Sequence, residues 1–170
     1  MRKLLDFIPT YNDFPEKGIS FKDVLKIVQE PEIYRDLILK MSSNQIIKNS
    51  EAIISIDARG FIFGSAIAFQ TSKPMICARK PGKLPGEIIE QDYKLEYGKS
   101  TISIQKEALK KYNSFSIVDD LIATGGTAKS VSNLLDKEGK KVSGLLTVVG
   151  LKEFKVIREI KFPVYSVIEI

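Results

Sequence analysis

The sequence predicts an α/β fold: a mostly parallel sheet with helices on both faces. Three observations carry that reading. From residue 31 onward, short apolar runs of strand length alternate with stretches of helical periodicity. The runs Glu51–Ile56 and Pro74–Arg79 flank an apolar helical stretch, the order of a parallel βαβ unit. A third run, Ser114–Val118, leads directly into two acids, a small-residue loop and another helix.

Taken in order, the first thirty residues hold Pro9, Pro15 and Gly18 and read as short irregular pieces. Pro31, acceptable at a first helical position, opens a helical pattern to about Asn49 through Ile33, Leu37, Ile38, Met41 and Ile46. Glu51–Ile56 is a buried strand, Gly60–Gln70 a helix and Pro74–Arg79 the next strand. Lys80–Tyr93 carries Pro81, Gly82, Pro85, Gly86 and several charges, and reads as a long loop of the kind that forms lids. Tyr93–Tyr97 and Ser100–Gln105 form an extended pair about Gly98. After Ser114–Val118 and its loop, a helix runs from about Ala128 to Lys137, with Gly139 placed to stop it. Val142–Val149 is another buried strand. A short helical stretch and a last strand, Val164–Ile168, end the chain.

The length, 170 residues, suits one domain with a core that needs no disulfide. The single cysteine, Cys77, allows no internal disulfide and reads as core packing. No apolar run approaches a membrane span, and Asp6 and Pro9 interrupt the N-terminus where a secretory signal would be apolar. A cytoplasmic protein is expected. The net charge of +5 is spread over lysines that sit beside acids, without a basic block. That is a lysine-rich surface, with no nucleic-acid partner and no membrane partner, and it suits a small polyanionic substrate. Histidine is absent. Ser-His-Asp and Cys-His nucleophiles and His-built zinc sites are thereby excluded. Proton transfer near neutral pH falls to carboxylate, Lys, Tyr, Cys or the substrate.

The stretch Asp119-Asp120-Leu121-Ile122-Ala123-Thr124-Gly125-Gly126-Thr127 carries the strongest chemical signal. Ligands of open α/β sheets bind at the carboxyl ends of strands. Residues 123–127 can turn amides and hydroxyls toward an anion, and the helix amino end that follows favours phosphate. Two adjacent acids repel phosphate, but suit the hydroxyls of a ribose or a Mg²⁺ ion. Other phosphate loops do not fit. Ala128 precedes Lys129-Ser130 where a Walker A loop needs glycine, and G-x-G-x-x-G is absent.

Phe115–Thr127 resembles the phosphoribosyl pyrophosphate signature of the type I phosphoribosyltransferases. Ser55–Gly64, with Asp57-Ala58-Arg59-Gly60-Phe61, resembles a second signature of that family's adenine-using branch. Arg79–Gly86, Tyr93–Gly98 and the N-terminal Phe14–Asp23 are similar to it in the same order. In 6-oxopurine members the position of Ala123 usually carries an aspartate; alanine there is the adenine pattern.

The resemblance implies one domain: about residues 1–34 form a small N-terminal hood over the base site, and 35–170 an α/β core with a mobile loop over about 80–93. It implies transfer of the 5-phosphoribosyl group from 5-phosphoribosyl 1-pyrophosphate to adenine, giving AMP and pyrophosphate, with Mg²⁺ carried by the substrate and a homodimer as the assembly. Asp119 and Asp120 would hold the ribose hydroxyls, directly or through Mg²⁺. Ala123, Thr124, Gly125, Gly126 and Thr127 would cradle the 5-phosphate. Arg59, Arg79, Lys80 and Lys83 would hold pyrophosphate. Ile19, Ser20, Phe21 and Lys22 would meet adenine, Phe21 by stacking; Lys22 stands where many relatives have arginine. Glu96, with Tyr97 beside it, is the acid expected near the base, as proton acceptor or as a charge that stabilises the transition state. The alternatives are transfer to another base, or a non-catalytic sensor of phosphoribosyl pyrophosphate.

Overall fold

The computed structural model describes residues 4–95, 98–152 and 160–170. Its centre is a five-stranded sheet of β3 (Ala52–Ile56), β4 (Met75–Ala78), β7 (Ser114–Ile122), β8 (Lys141–Gly150) and β9 (Val164–Glu169), in the order β4-β3-β7-β8-β9. Every neighbouring pair is parallel. The chain runs outward from β3 to β4, then crosses back past β3 to β7. Strand order therefore reverses between β3 and β7, where the connections leave in opposite directions, and in open α/β sheets ligands bind outside the carboxyl ends of the strands at such a point.

Alternation along the strands divides the core in two. Ile53, Val118 and Leu146 point to one face, against Leu37 and Met41 of α1 (Pro31–Ser42) and Phe63 and Ile67 of α3 (Gly60–Thr71). Ile54, Ile117 and Leu145 point to the other, against Val131, Leu134 and Leu135 of α5 (Gly126–Lys137). The strands are covered on both faces, which is why they read as continuous apolar runs.

Four boundaries differ from the sequence expectation. The helical pattern from Pro31 to Asn49 is two helices, because α1 ends at Ser42 and Asn44 caps α2 (Gln45–Lys48), its side-chain oxygen accepting from the Ile46 N–H at 2.9 Å. The long loop expected over 80–93 is shorter. Residues 88–95 form β5 (Ile88–Leu95), paired antiparallel along its whole length with β6 (Gly98–Gln105). Ile102 and Ile104 of β6 bury against the sheet and anchor that hairpin, which α4 (Lys106–Leu109) follows. β7 runs four residues past Val118, so both acids stand within the strand. α5 begins at Gly126 rather than near Ala128, after Gly125 takes a φ of 73° as its cap.

The N-terminal segment is built from short pieces, as expected. A 3₁₀ turn over Leu4–Phe7, the hairpin β1 (Thr10–Asn12) and β2 (Ser20–Lys22), and a 3₁₀ helix over Val24–Gln29 follow one another. Val24 and Ile27 are fully buried and tie the segment to the core. The helical stretch expected before β9 lies outside the described residues over 153–159. Among the described residues no helix is long and apolar enough to cross a membrane.

Candidate active site at the strand switch point

The site residues gather where β3 and β7 end. β7 pairs with β3 only as far as Val118 opposite Ser55, but with β8 as far as Ile122 opposite Gly150. Asp119 and Asp120 therefore stand beyond the end of the β3 ladder, beside the turn Asp57–Gly60 that leads into α3. A Cβ on Gly60 would lie 2.9 Å from Asp119 Oδ1 and 3.0 Å from the Val118 carbonyl oxygen. Only a residue without a side chain lets that turn close on β7.

Both acids are short of water. Asp120 is 4% exposed and Asp119 is half-buried, and the Asp120 N–H donates to Asp119 Oδ1 at 2.8 Å. Burial pushes the Asp119 carboxyl well above the usual carboxylate range, and the neighbouring Asp120 charge pushes it further. Burial raises Asp120 too, while the Arg59 guanidinium holds it back. Arg59 Nε lies 3.0 Å from Asp120 Oδ2. The pair is in electrostatic contact without hydrogen-bond alignment, and Asp120 Oδ2 and Arg59 Nη1 are buried with no hydrogen-bond partner. The Arg59 guanidinium also lies over the ring of Phe21, 5.2 Å from its centroid. Phe14 meets Phe21 edge-on at 5.2 Å, so the N-terminal hairpin carries an aromatic pair to the switch point.

The loop 123–125 and the first turn of α5 continue directly from the acids. The amides that open this 12-residue helix have no partner within it, and its dipole is positive at that end. Residues 123–127 are all partly exposed.

On the other side of the 57–60 turn stands Arg79, the first residue past β4. Its Nε donates to Asp57 Oδ2 at 3.1 Å, its Nη1 to the Lys83 carbonyl at 3.3 Å, and its guanidinium lies 5.7 Å from the Phe61 ring centroid. Its backbone exchanges two hydrogen bonds with Ser103 of β6, at 2.9 and 2.7 Å, and the Ser103 hydroxyl donates to Glu90 Oε1 of β5 at 2.7 Å.

The structure thus brings together Arg59, Asp119, Asp120, Phe21 and the 123–127 loop on one side of the 57–60 turn, and seats Arg79 on the other. Lys80 and Lys83 are exposed on the short loop behind Arg79. Ile19 and Ser20 lead into the Phe21 strand, and Ser20 reaches Asn12 at 3.5 Å. Lys22 alternates to the opposite side of that strand from Phe21, and its ammonium donates to Thr10 at 2.8 Å rather than joining the cluster. Glu96 and Tyr97 lie outside the described residues. Sequence reasoning gave Asp57 no role of its own. The signal was register: Ile56 pairs with Ala78, so Asp57 and Arg79 occupy equivalent places past adjacent strand ends.

Paired acids, a helix amino end and Arg59 meet at the switch point of this parallel sheet, with Arg79 on the far side of the 57–60 turn. Residues 22–170 match the model of the phosphoribosyl transferase domain, and the chain belongs to that family. It is 64% identical over 168 residues to an adenine phosphoribosyltransferase of Prochlorococcus marinus strain AS9601, covering 99% of each chain. Among solved structures it is similar to the adenine phosphoribosyltransferase of Thermoanaerobacter pseudethanolicus (TM-score 0.90, 30% identity, 99% of this chain and 100% of that one). It is also similar to that of Saccharomyces cerevisiae, complexed with an imino-altritol bisphosphate and adenine (TM-score 0.90, 31% identity, 97% and 96% covered).

Proposed function

We propose that the chain joins adenine to the 5-phosphoribosyl group of 5-phosphoribosyl 1-pyrophosphate, releasing pyrophosphate and AMP. The observation that carries this is the continuity of Asp119 and Asp120 with the α5 amino end, opposite Arg59. One side can hold a diol, the next few amides a 5-phosphate, and the arginine a departing anion. The yeast relative's adenine and bisphosphate ligands are of matching chemistry.

In this reading the bond from the anomeric carbon to pyrophosphate oxygen breaks, and its electron pair leaves with pyrophosphate. The N9 lone pair of adenine forms the new bond, and the N9 proton passes to an acceptor, with Glu96 and its neighbour Tyr97 proposed nearest the base. Positive charge builds on the ribose as the leaving group departs, so the nearby acids stabilise the transition state more than the ground state. Arg59, Arg79, Lys80 and Lys83 neutralise the leaving group. Phe21 stacks on the base, with Ile19 and Ser20 supplying backbone groups to its edge and Lys22, whose ammonium donates to Thr10 in the free protein, beside them. Ala123, Thr124, Gly125, Gly126 and Thr127 hold the 5-phosphate.

Magnesium enters with phosphoribosyl pyrophosphate. Among the described residues no group of three or more His, Cys, Asp or Glu could hold a metal. Asp119 and Asp120 offer an ion a few oxygens at most, a donor set that fits Mg²⁺ carried on phosphate and water oxygens. A homodimer in the cytoplasm completes the proposal, its assembly open to light scattering.

The deciding experiment is pyrophosphate release with adenine, hypoxanthine, guanine and orotate in parallel. Adenine is expected to exceed the others by at least about a hundredfold, since a site built to pair a particular base edge leaves polar groups unmatched by the wrong one. Preference for a 6-oxopurine would overturn the choice of base. Absence of release with every base would overturn the activity.

A further inference from the structure

We infer that Asp57 is a positioning residue that sets the orientation of Arg79 for pyrophosphate. The inference rests on the proposed role of Arg79 as a pyrophosphate contact. Asp57 is fixed twice over. Its backbone N–H donates to the Ala78 carbonyl at 2.8 Å, extending the β3–β4 ladder one step past Ile56. Its carboxylate, with only 9% of the side chain exposed, takes Arg79 Nε at 3.1 Å. Arg79 is pinned at its backbone by Ser103 and flanked by the Phe61 ring.

The guanidinium has five N–H donors in a rigid fork. Asp57 engages the inner one, and the Lys83 carbonyl accepts from Nη1 at 3.3 Å. Nη2 engages neither and is left to an oxyanion of the substrate. Phe61 follows Gly60 directly, so Asp57 holds Arg79 against the same turn that carries Arg59. A long side chain that is already oriented loses less rotamer freedom when it grips an anion.

An opposing effect gives the inference a sign. The Asp57 carboxylate also repels an anionic substrate and offsets the Arg79 charge. If charge were its main influence, removing it would tighten substrate binding. If orientation is, removing it weakens binding.

The test is a double-mutant cycle. KM for phosphoribosyl pyrophosphate and for adenine, and kcat, would be measured for the unmodified chain, Asp57→Asn, Arg79→Ala and the double variant. Asp57→Asn is expected to raise KM for phosphoribosyl pyrophosphate by about tenfold, the size of one charge-assisted hydrogen bond. KM for adenine should hold within about twofold, a split between the two substrates that a general loss of folding would not produce. The double variant should be no weaker than Arg79→Ala alone. A fall in KM for Asp57→Asn, or effects that multiply in the double variant, would overturn the inference and leave the Arg79 role standing. Unchanged KM in Arg79→Ala would overturn both. Should Asp57→Asn fail to fold, Asp57→Glu, which keeps the charge but lengthens the reach, takes its place in the cycle with the same expected rise.

Discussion

Arg59 and Asp120 stand 3.0 Å apart where β3 and β7 end, an ion pair between the turn into α3 and the β7 strand. In the proposed reaction they serve different parts of one substrate, the arginine its pyrophosphate and the acid its ribose. The pairing is poorly aligned, and buried atoms on both sides go without hydrogen bonds. Such a pair is costly to hold, because each charge has left water without a full return. The same imperfect match makes it exchangeable for substrate oxygens and hydroxyls.

The acids should therefore stabilise function at the expense of the fold. Burial raises the folded-state pKa of Asp119 and Asp120 above the unfolded value of about 4. A raised carboxylate pKa means that the folded state binds the proton more tightly. The cost is present in full above the folded pKa and is relieved as pH falls toward the unfolded one. Asp119→Asn should raise the stability of the free protein at pH 7, with the gain shrinking as pH is lowered through the raised pKa. Turnover should fall by about a hundredfold or more. Chemical unfolding at several pH values, with pyrophosphate release alongside, checks both. A destabilised variant with normal turnover would contradict the site.

Gly60 carries a second expectation. A methyl group there would press on Asp119 Oδ1 at 2.9 Å and on the Val118 carbonyl at 3.0 Å, and the backbone atom cannot give way as a flexible side chain would. Gly60→Ala should shift the 57–60 turn off β7 at a cost of about 1–3 kcal/mol, with the far-ultraviolet spectrum unchanged. Arg59 moves with the turn, so kcat/KM should fall by about a hundredfold, as misplacements near 1 Å can do. Near-normal kcat/KM would show that the close approach is not needed.

Phe21 sits under a guanidinium and beside Phe14. If its face receives adenine, Phe21→Ala should raise KM for adenine by about tenfold while KM for phosphoribosyl pyrophosphate changes little. Steady-state kinetics with each substrate varied in turn separates the two. Equal rises in both would assign the ring to holding the hood in place instead.

Much of this site is legible in the chain because its signals are local. The buried strands show as isoleucine and valine runs, since both sheet faces are covered, and the two acids and the glycine loop are contiguous. The hidden parts depend on pairing over distance. Residues 88–92 read as loop because their charges obscure the strand alternation, and the pairing with residues 101–105 fixes the conformation instead. The break between α1 and α2 is masked by apolar residues that continue across Asn44. Asp57 meets Arg79 only because β3 and β4 end in register, and Arg59 meets Phe21 only because the hairpin folds back over the switch point. No spacing along the sequence encodes either contact. The roles of Glu96 and Tyr97 rest on the resemblance.

Cys77, the only cysteine of the chain, supplies an internal probe of the Asp57–Arg79 pair. It is partly exposed on β4, two residues before Arg79. Burial pushes its thiol up, the Arg79 charge draws it down, and the Asp57 charge raises it again. Only the thiolate reacts with an alkylating reagent, so the pH profile of alkylation reads the thiol pKa directly. Asp57→Asn removes the negative neighbour and should move the profile to lower pH, with faster labelling at pH 8. Arg79→Ala removes the positive neighbour and should move it to higher pH, with slower labelling. The opposite signs matter, because a variant that merely loosened β4 would expose the thiol and shift both profiles downward. Coincident profiles for all three proteins would mean that neither charge lies close enough to Cys77 to be felt, and would refute the geometry from which the pair is drawn.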